Sequence, residues 1–165
     1  MKTLPRLLAH LRTTSADGRR AFPPDTLRAI EQAIADGETR HRAEVRLIVE
    51  PSLPAAAVWS GVSPRARARE LFARYGVWDT EENCGVLVYV NLADRKVEIV
   101  ADRGIGKTVA ASDWQAVCRT MTSGFAQGRY HDSVLAAIAQ LNALLEHHYP
   151  DNGAANQLPN KPILL

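Results

Sequence analysis

The chain has 165 residues and a mass of 18.1 kDa, which sets the expectation of one domain around one hydrophobic core. Its 46% hydrophobic and 23% charged residues match an ordinary globular protein and exclude a collagen-like, wholly disordered or purely coiled-coil chain. Twenty Lys and Arg against eighteen Asp and Glu give a net charge of +2, too small to support a nucleic-acid partner.

Residues 1–42 are the basic part, with eight basic and five acidic side chains. Leu4, Leu7, Leu8 and Leu11 recur there at helical spacing beside Lys2, Arg6 and Arg12. The main reading of residues 1–14 is a helix docked on the domain or on an unknown protein partner; the lesser one is peripheral contact with a membrane surface. Pro5, Arg6, His10 and Arg12 interrupt the apolar stretch that a secretory signal needs. The longest clean apolar run, Gly85 to Val90, falls well short of the roughly 18 residues of a membrane span. Cys84 and Cys118 lack a C-x-x-C neighbour and read as buried thiols of a reducing compartment. The expected location is therefore cytoplasmic.

Ser15 to Arg20 reads as a loop. Phe22-Pro23-Pro24-Asp25 then starts a helix that carries Leu27, Ile30 and Ile34 on one face and weakens near Gly37. From Glu44 to Glu50, Val45, Leu47 and Val49 alternate with Glu44, Arg46 and Ile48, the pattern of a strand ended by Pro51. A loop containing Pro54 and Gly61 leads to Ser63-Pro64, a cap and first-turn pair for a helix with Ala68, Leu71, Phe72 and Tyr75, stopped by Gly76. Gly85-Val86-Leu87-Val88-Tyr89-Val90 is continuously apolar, as in a central strand covered on both faces. The turn Leu92-Ala93-Asp94-Arg95 and the alternation from Lys96 to Ala101 predict an antiparallel hairpin partner. Ser112 is expected to cap a helix with Trp114, Val117, Met121 and Phe125; another from about His131 carries Val134, Leu135, Ile138, Leu141 and Leu145. Pro150 closes the pattern, and Asp151 to Leu165 reads as a poorly ordered tail unless Ile163-Leu164-Leu165 docks. Trp59, Trp78 and Trp114 read as core anchors, and the five histidines as surface or cap residues.

This order predicts an α/β fold, a three-layer α/β/α sandwich with a small mixed sheet of three or four strands. Residues 1–19 are a basic, leucine-containing segment, 20–150 the domain and 151–165 the tail.

The most polar constellation is Trp78-Asp79-Thr80-Glu81-Glu82-Asn83, just before the central strand. Asp79, Glu81 and Asn83 stand two apart, as do the first three oxygen ligands of a calcium loop, although the Gly and Glu that complete an EF-hand are missing here. An antiparallel hairpin brings Asp102 and Arg103 back beside Asp79 and Asn83. The alternative is a solvated turn. Glu50, Asn91 and Asp94, at the other end of the sheet, read as turn chemistry. Ala101 to Thr108 ends in Gly-Lys-Thr like a phosphate-binding loop, but it follows the return arm of a hairpin and reads as a Gly-rich turn.

The block from Arg74-Tyr75-Gly76-Val77-Trp78-Asp79-Thr80 through Asn83-Cys84-Gly85-Val86-Leu87-Val88-Tyr89 to Ala93-Asp94-Arg95-Lys96-Val97-Glu98-Ile99-Val100-Ala101-Asp102-Arg103-Gly104-Ile105 resembles a TPM domain. It is most similar to the short, cytoplasmic-type bacterial members, over about Arg20 to Pro150. Phe22-Pro23-Pro24, Gln127-Gly128-Arg129-Tyr130 and Asn156-Gln157-Leu158-Pro159 fit the same subgroup. The resemblance implies an α/β/α sandwich with a small mixed sheet. Some family members are assigned acid phosphatase activity or a role in photosystem repair, and others bind calcium. Metal binding carries over to Asp79, Asn83 and Asp102, where the family keeps polar residues; Cys84 stands where the subgroup has Asn and removes one oxygen ligand. Gly106-Lys107-Thr108 also departs from the subgroup.

The function expected is a cation- or partner-binding module that uses Asp79, Glu81, Asn83, Asp102 and Arg103, with calcium or magnesium as the ion. The alternative is a metal-dependent acid phosphatase acting on phosphate esters, with Asp79, Glu81 and Asp102 on the metal and Arg103 on the phosphate.

Overall fold

A computed structural model describes residues 3–165; Lys2 of the expected basic segment lies outside them. The core of the fold is a four-stranded sheet in the order β3-β2-β1-β4, with β1 at Glu44–Glu50, β2 at Gly85–Asn91, β3 at Lys96–Ala101 and β4 at Ile163–Leu164. β1 pairs parallel with β2 and with β4, and β2 pairs antiparallel with β3. The sheet is thus mixed, and the expected hairpin and crossover are both present.

One face of the sheet presents Val45, Leu47, Val49, Val86, Val88, Val90, Val97 and Ile99 to the main core. Three amphipathic helices cover it: α3 at Pro24–Glu38, α7 at Ala111–Phe125 and α8 at Tyr130–His148. Ile30, Ile34, Val117, Met121, Ile138 and Leu141 recur on their inner faces at helical spacing. The opposite face buries Ile48, Leu87, Tyr89 and Val100 against Ala68 and Leu71 of α5, Pro64–Arg74. These three layers are the expected α/β/α sandwich.

Several local expectations need correction. Ser15 to Arg20 is a helix, α2 at Ser15–Ala21, because Thr14 and Asp17 form a reciprocal capping box. The Pro54 loop contains the short helix α4, Ala55–Trp59, after α1 at Thr3–Arg12 and before α5. α7 starts at Ala111 after an Ala110 cap with no side-chain hydrogen bond, so Ser112 is not its cap. Trp59 and Trp78 are 70% and 54% exposed; they do not anchor the core, and only Trp114 packs against it. His10 and His41 are buried, not surface residues. The Nδ1 of His10 accepts from the Leu53 N–H, while His41 sits between the Ala43 carbonyl and Asn142 Oδ1.

The last residues do dock. Beyond Pro150 the chain returns along β1, whose seven residues are all buried. The N–H groups of Gln157 and Leu158 donate to the two carboxylate oxygens of Glu44, and Arg46 donates to the carbonyl of Pro159. Glu44, Arg46 and Ile48 lie on the second face of the strand, so a polar-looking face is buried by its own tail.

Candidate functional site

Two polar regions lie at opposite ends of the sheet. The first is the expected one, where the Asp79–Cys84 loop enters β2 and the Asp102–Gly106 turn leaves β3. The antiparallel register puts Ala101 opposite Val86, and the Asp102 N–H donates to Gly85 O at 2.9 Å. One step on, the Gly104 N–H donates to Asn83 O at 2.9 Å. Asn83 itself takes a left-handed conformation, φ 53°, which asparagine tolerates better than most residues.

Two glycines permit this approach. A Cβ on Gly85 would lie 1.9 Å from the Val77 carbonyl oxygen, and one on Gly104 would lie 2.4 Å from Glu82 O and 2.6 Å from Asn83 O. The loop and the turn therefore meet backbone to backbone, with the carbonyl oxygens of Glu82 and Asn83 directed over Gly104.

Asp102 caps α6, Arg103–Gly106, through Oδ1, which accepts from the Arg103 N–H at 2.7 Å. Its other oxygen, Oδ2, is buried and has no hydrogen-bond partner. The residue as a whole is only 9% exposed. A buried carboxyl oxygen with nothing to accept from is costly, and Oδ2 shares this end of the sheet with two other buried atoms that lack a hydrogen-bond partner, Glu38 Oε2 and Arg42 Nε.

The remaining expected residues are arranged differently. Asp79, Glu81, Asn83 and Arg103 are exposed, and Asp79 and Glu81 do not converge with Asp102 on one centre. Among the described residues, no three His, Cys, Asp or Glu side chains are disposed to share a metal ion. Arg103 points its charge to solvent beside α6, which is one turn long and follows an antiparallel strand. That geometry agrees with a Gly-rich turn and not with a phosphate-binding loop. Cys84, in the position where an amide would add a ligand, is buried, and burial raises its thiol above the ordinary value. Burial also pushes Cys118 up to about 11. Both thiols stay protonated at neutral pH and lack nucleophilic character.

Sequence reasoning missed the contribution of the tail. Gln157 Oε1 accepts from the Glu81 N–H at 2.9 Å, and Asn152 Nδ2 donates to Glu82 Oε1 at 2.8 Å. Arg42 adds an ion pair to Glu82 at 3.4 Å. Periodicity carries no signal for such contacts. The one hint in the sequence was the polar Asn156-Gln157 pair next to Leu158-Pro159, within an otherwise weakly apolar tail.

The second region follows the carboxyl ends of β1 and β2. Arg67 donates to both oxygens of Glu50, at 3.0 and 2.8 Å; Tyr89 donates to Glu50 Oε2 at 2.6 Å, and Asn91 Nδ2 donates to Tyr89 Oη at 2.9 Å. Burial, together with the adjacent Glu50 carboxylate, drives the Tyr89 hydroxyl far above its usual range. Nearby, Arg6 donates to both oxygens of Asp94 at 2.8 Å, and His10 Nε2 lies 3.2 Å from Oδ1. Burial works to raise the Asp94 carboxyl, but the hydrogen bonds from Arg6 and His10 prevail and hold it below the ordinary range. The sequence assigned Glu50, Asn91 and Asp94 to turn chemistry; Asn91 Oδ1 does accept from the Asp94 N–H across the turn at 2.9 Å, and the structure further makes the three side chains partners of Arg67, Tyr89 and Arg6. Their acceptor oxygens are occupied, so the network fixes the strand ends and α1 and offers no free base.

Concave space also lies at that end. A cavity of about 260 Å³ is lined by Asn91, Leu92, Arg95, Thr122, Phe125, Ala126 and Tyr130, and none of the Asp79–Asn83 or Asp102–Arg103 residues contributes to it.

A comparison with solved structures finds the NMR structure of the BA42 protein from the psychrophilic bacterium Bizionia argentinensis. It is 24% identical, with a TM-score of 0.75 over 86% of this chain and 93% of that one; the likeness shows the fold. No curated protein matches the chain. The sequence profile of the TPM domain matches residues 15–144, which include both strands and both turns that build the polar end of the sheet, and the chain belongs to the TPM domain family.

Proposed function

We propose that this TPM domain is a binding module for a hard divalent cation, calcium or magnesium, taken at the turn where Asp102 leaves β3. The observation that carries this reading is the Oδ2 atom of Asp102, buried and without a hydrogen-bond partner. Carboxylate and backbone carbonyl oxygens are the ligands such ions prefer, and magnesium retains several waters when only one or two carboxylates are available. Asp102 would supply the carboxylate, with the carbonyls of the Glu82-Asn83 segment beside it. The loop lines no part of the cavity at the far end of the sheet, which favours an ion over an organic substrate.

The test is thermal unfolding of the intact chain with calcium, magnesium or manganese. A ligand that binds only the folded state raises stability by about 2.7 kcal/mol at a hundredfold excess over Kd. A rise with a divalent ion and none with matched sodium chloride supports the reading, and no rise with any ion overturns it. Turnover of a generic phosphate ester in the same samples, lost in Asp102→Asn, would replace the module with the metal-dependent hydrolase.

A further inference from the structure

The N-terminal helix is turned the opposite way from an ordinary surface helix. Two of its polar residues face the domain: His10 is buried and Arg6 forms a two-bond ion pair with Asp94. Three of its four leucines face solvent, with Leu4 64%, Leu8 45% and Leu11 62% exposed, while Leu7 is half-buried. These three follow an i, i+4, i+7 spacing and form one ridge about 10 Å long. α1 packs against α4, whose Trp59 is 70% exposed. Four of the most exposed large apolar side chains of the protein therefore belong to two contacting helices, and clustered exposure of this kind marks a docking surface.

The charge around this face selects its occupant. Neither α1 (TLPRLLAHLR) nor α4 (AAAVW) contains an acidic residue. α1 itself ends on the exposed Arg12, one turn beyond Leu8, and the exposed Arg19 follows in α2. The acids of the adjoining α2 and α5, Asp17 and Glu70, already face Arg20 and Arg67. Two cavities lie beside α1, of about 680 Å³ along Pro5, Ala9 and Arg12 and of about 320 Å³ along Thr3, Arg6 and Val58, and neither is lined by any of the three leucines or by Trp59. The apolar face is therefore a ridge, too short for a coiled-coil seam. A leucine ridge with an interfacial tryptophan and cationic flanks matches the boundary between headgroups and acyl chains of an anionic bilayer.

We infer that α1 and α4 together form a peripheral docking surface for an anionic lipid bilayer, with Leu4, Leu8, Leu11 and Trp59 entering the headgroup boundary and Arg12, at the end of the same helix, facing the lipid phosphates. The surface is built in advance, because the Arg6–Asp94 pair and the Leu53–His10 hydrogen bond fix the helix before any membrane is met. It lies at the carboxyl ends of β1 and β2, away from the Asp102 turn, and stands whether or not that turn binds an ion.

The experiment is sedimentation of the intact chain with vesicles of phosphatidylcholine alone or mixed with phosphatidylglycerol. Partitioning onto the anionic vesicles is expected, weakened by salt, and reduced at least tenfold in a Leu4→Ser/Leu8→Ser/Leu11→Ser variant and separately in Trp59→Ser. Both variants replace exposed side chains and should melt at the wild-type temperature. In a Trp78→Phe background, brominated lipid should quench the fluorescence of Trp59. Absence of binding to anionic vesicles, or equal binding by both variants and the parent chain, overturns the inference. So does concentration-dependent dimerisation in solution that the same variants abolish, because the ridge would then belong to a second copy of this chain.

Discussion

Replacing Asp102 by Asn should stabilise the protein without ions and abolish its response to them. The Asn side chain keeps the Oδ1 acceptor for the Arg103 N–H, and Asn caps helices as well as Asp does. The backbone bond from the Asp102 N–H to Gly85 O is unaffected. What changes is Oδ2, which loses its charge and becomes a donor NH2 in place of an acceptor that has no partner. Leaving a buried polar group unsatisfied costs about 1–3 kcal/mol, more when it is charged. A variant relieved of the charge, with an NH2 as buried as the oxygen it replaces, should gain about 1 kcal/mol, or roughly 2–4 °C in Tm for a domain of this size. The parent chain should close that gap once a divalent ion reaches saturating concentration, whereas Asp102→Asn should show no shift. Differential scanning calorimetry of both chains, with a chelator and then with calcium or magnesium, reads both effects. A variant less stable than its parent in chelator, or one that keeps the full ion-induced rise, would refute the argument from the orphaned oxygen.

Other perturbations test the frame around the site. Burial pushes Glu38 up to about 8 from an ordinary 4.5, so between those values the folded chain holds a proton that the unfolded chain has released. Stability should therefore fall as pH rises through this window, by up to about 5 kcal/mol from the shift alone and about 2–3 kcal/mol at a half-buried group. Glu38→Gln keeps the acceptor for the Val45 N–H and should flatten the dependence in urea titrations at pH 5 and 9; an unchanged slope would count against it. Arg67→Ala leaves the buried Glu50 carboxylate without its two-bond partner and should cost about 3–5 kcal/mol in urea unfolding. Tyr89→Phe, which removes one hydrogen bond to the same carboxylate, should cost about 1–2 kcal/mol, and equal losses would contradict the ranking. A chain ending at Pro150 should lose about 3 kcal/mol or more, because Glu44 and Arg46 lose their tail partners; an unaltered Tm would show that the tail only decorates β1.

The strands and main helices were legible because each has a periodicity written into adjacent residues. Gly85 to Val90 is apolar without interruption, and the structure buries it on both faces; Ala68 and Leu71 recur at helical spacing behind a Ser-Pro start, and α5 lies there. The meeting of Asn83 with Asp102 and Gly104 was also legible, since an antiparallel hairpin returns its far end beside its near one. Local composition could not show what distant chain would cover. Glu44 and Arg46 were placed on the second face of β1 with nothing to say what lies against it, and residues more than a hundred positions later bury them. Asp79 and Glu81 looked like ligands from their spacing, yet the loop turns them outward, and of the expected site residues Asp102 is the one with an oxygen buried without a partner. Leu4, Leu7, Leu8 and Leu11 read as a face docked on the domain or on a partner, and the spacing could not choose between them, because it gives a helix its face but not its orientation. The ion pair from Arg6 to Asp94 and the hydrogen bond at His10 set that orientation, and the sequence alone contains neither contact. Sequence thus determined the elements and the fold class through near-neighbour periodicity; which polar atoms are left unpaired, and which apolar ones are left outside, was decided by long-range packing.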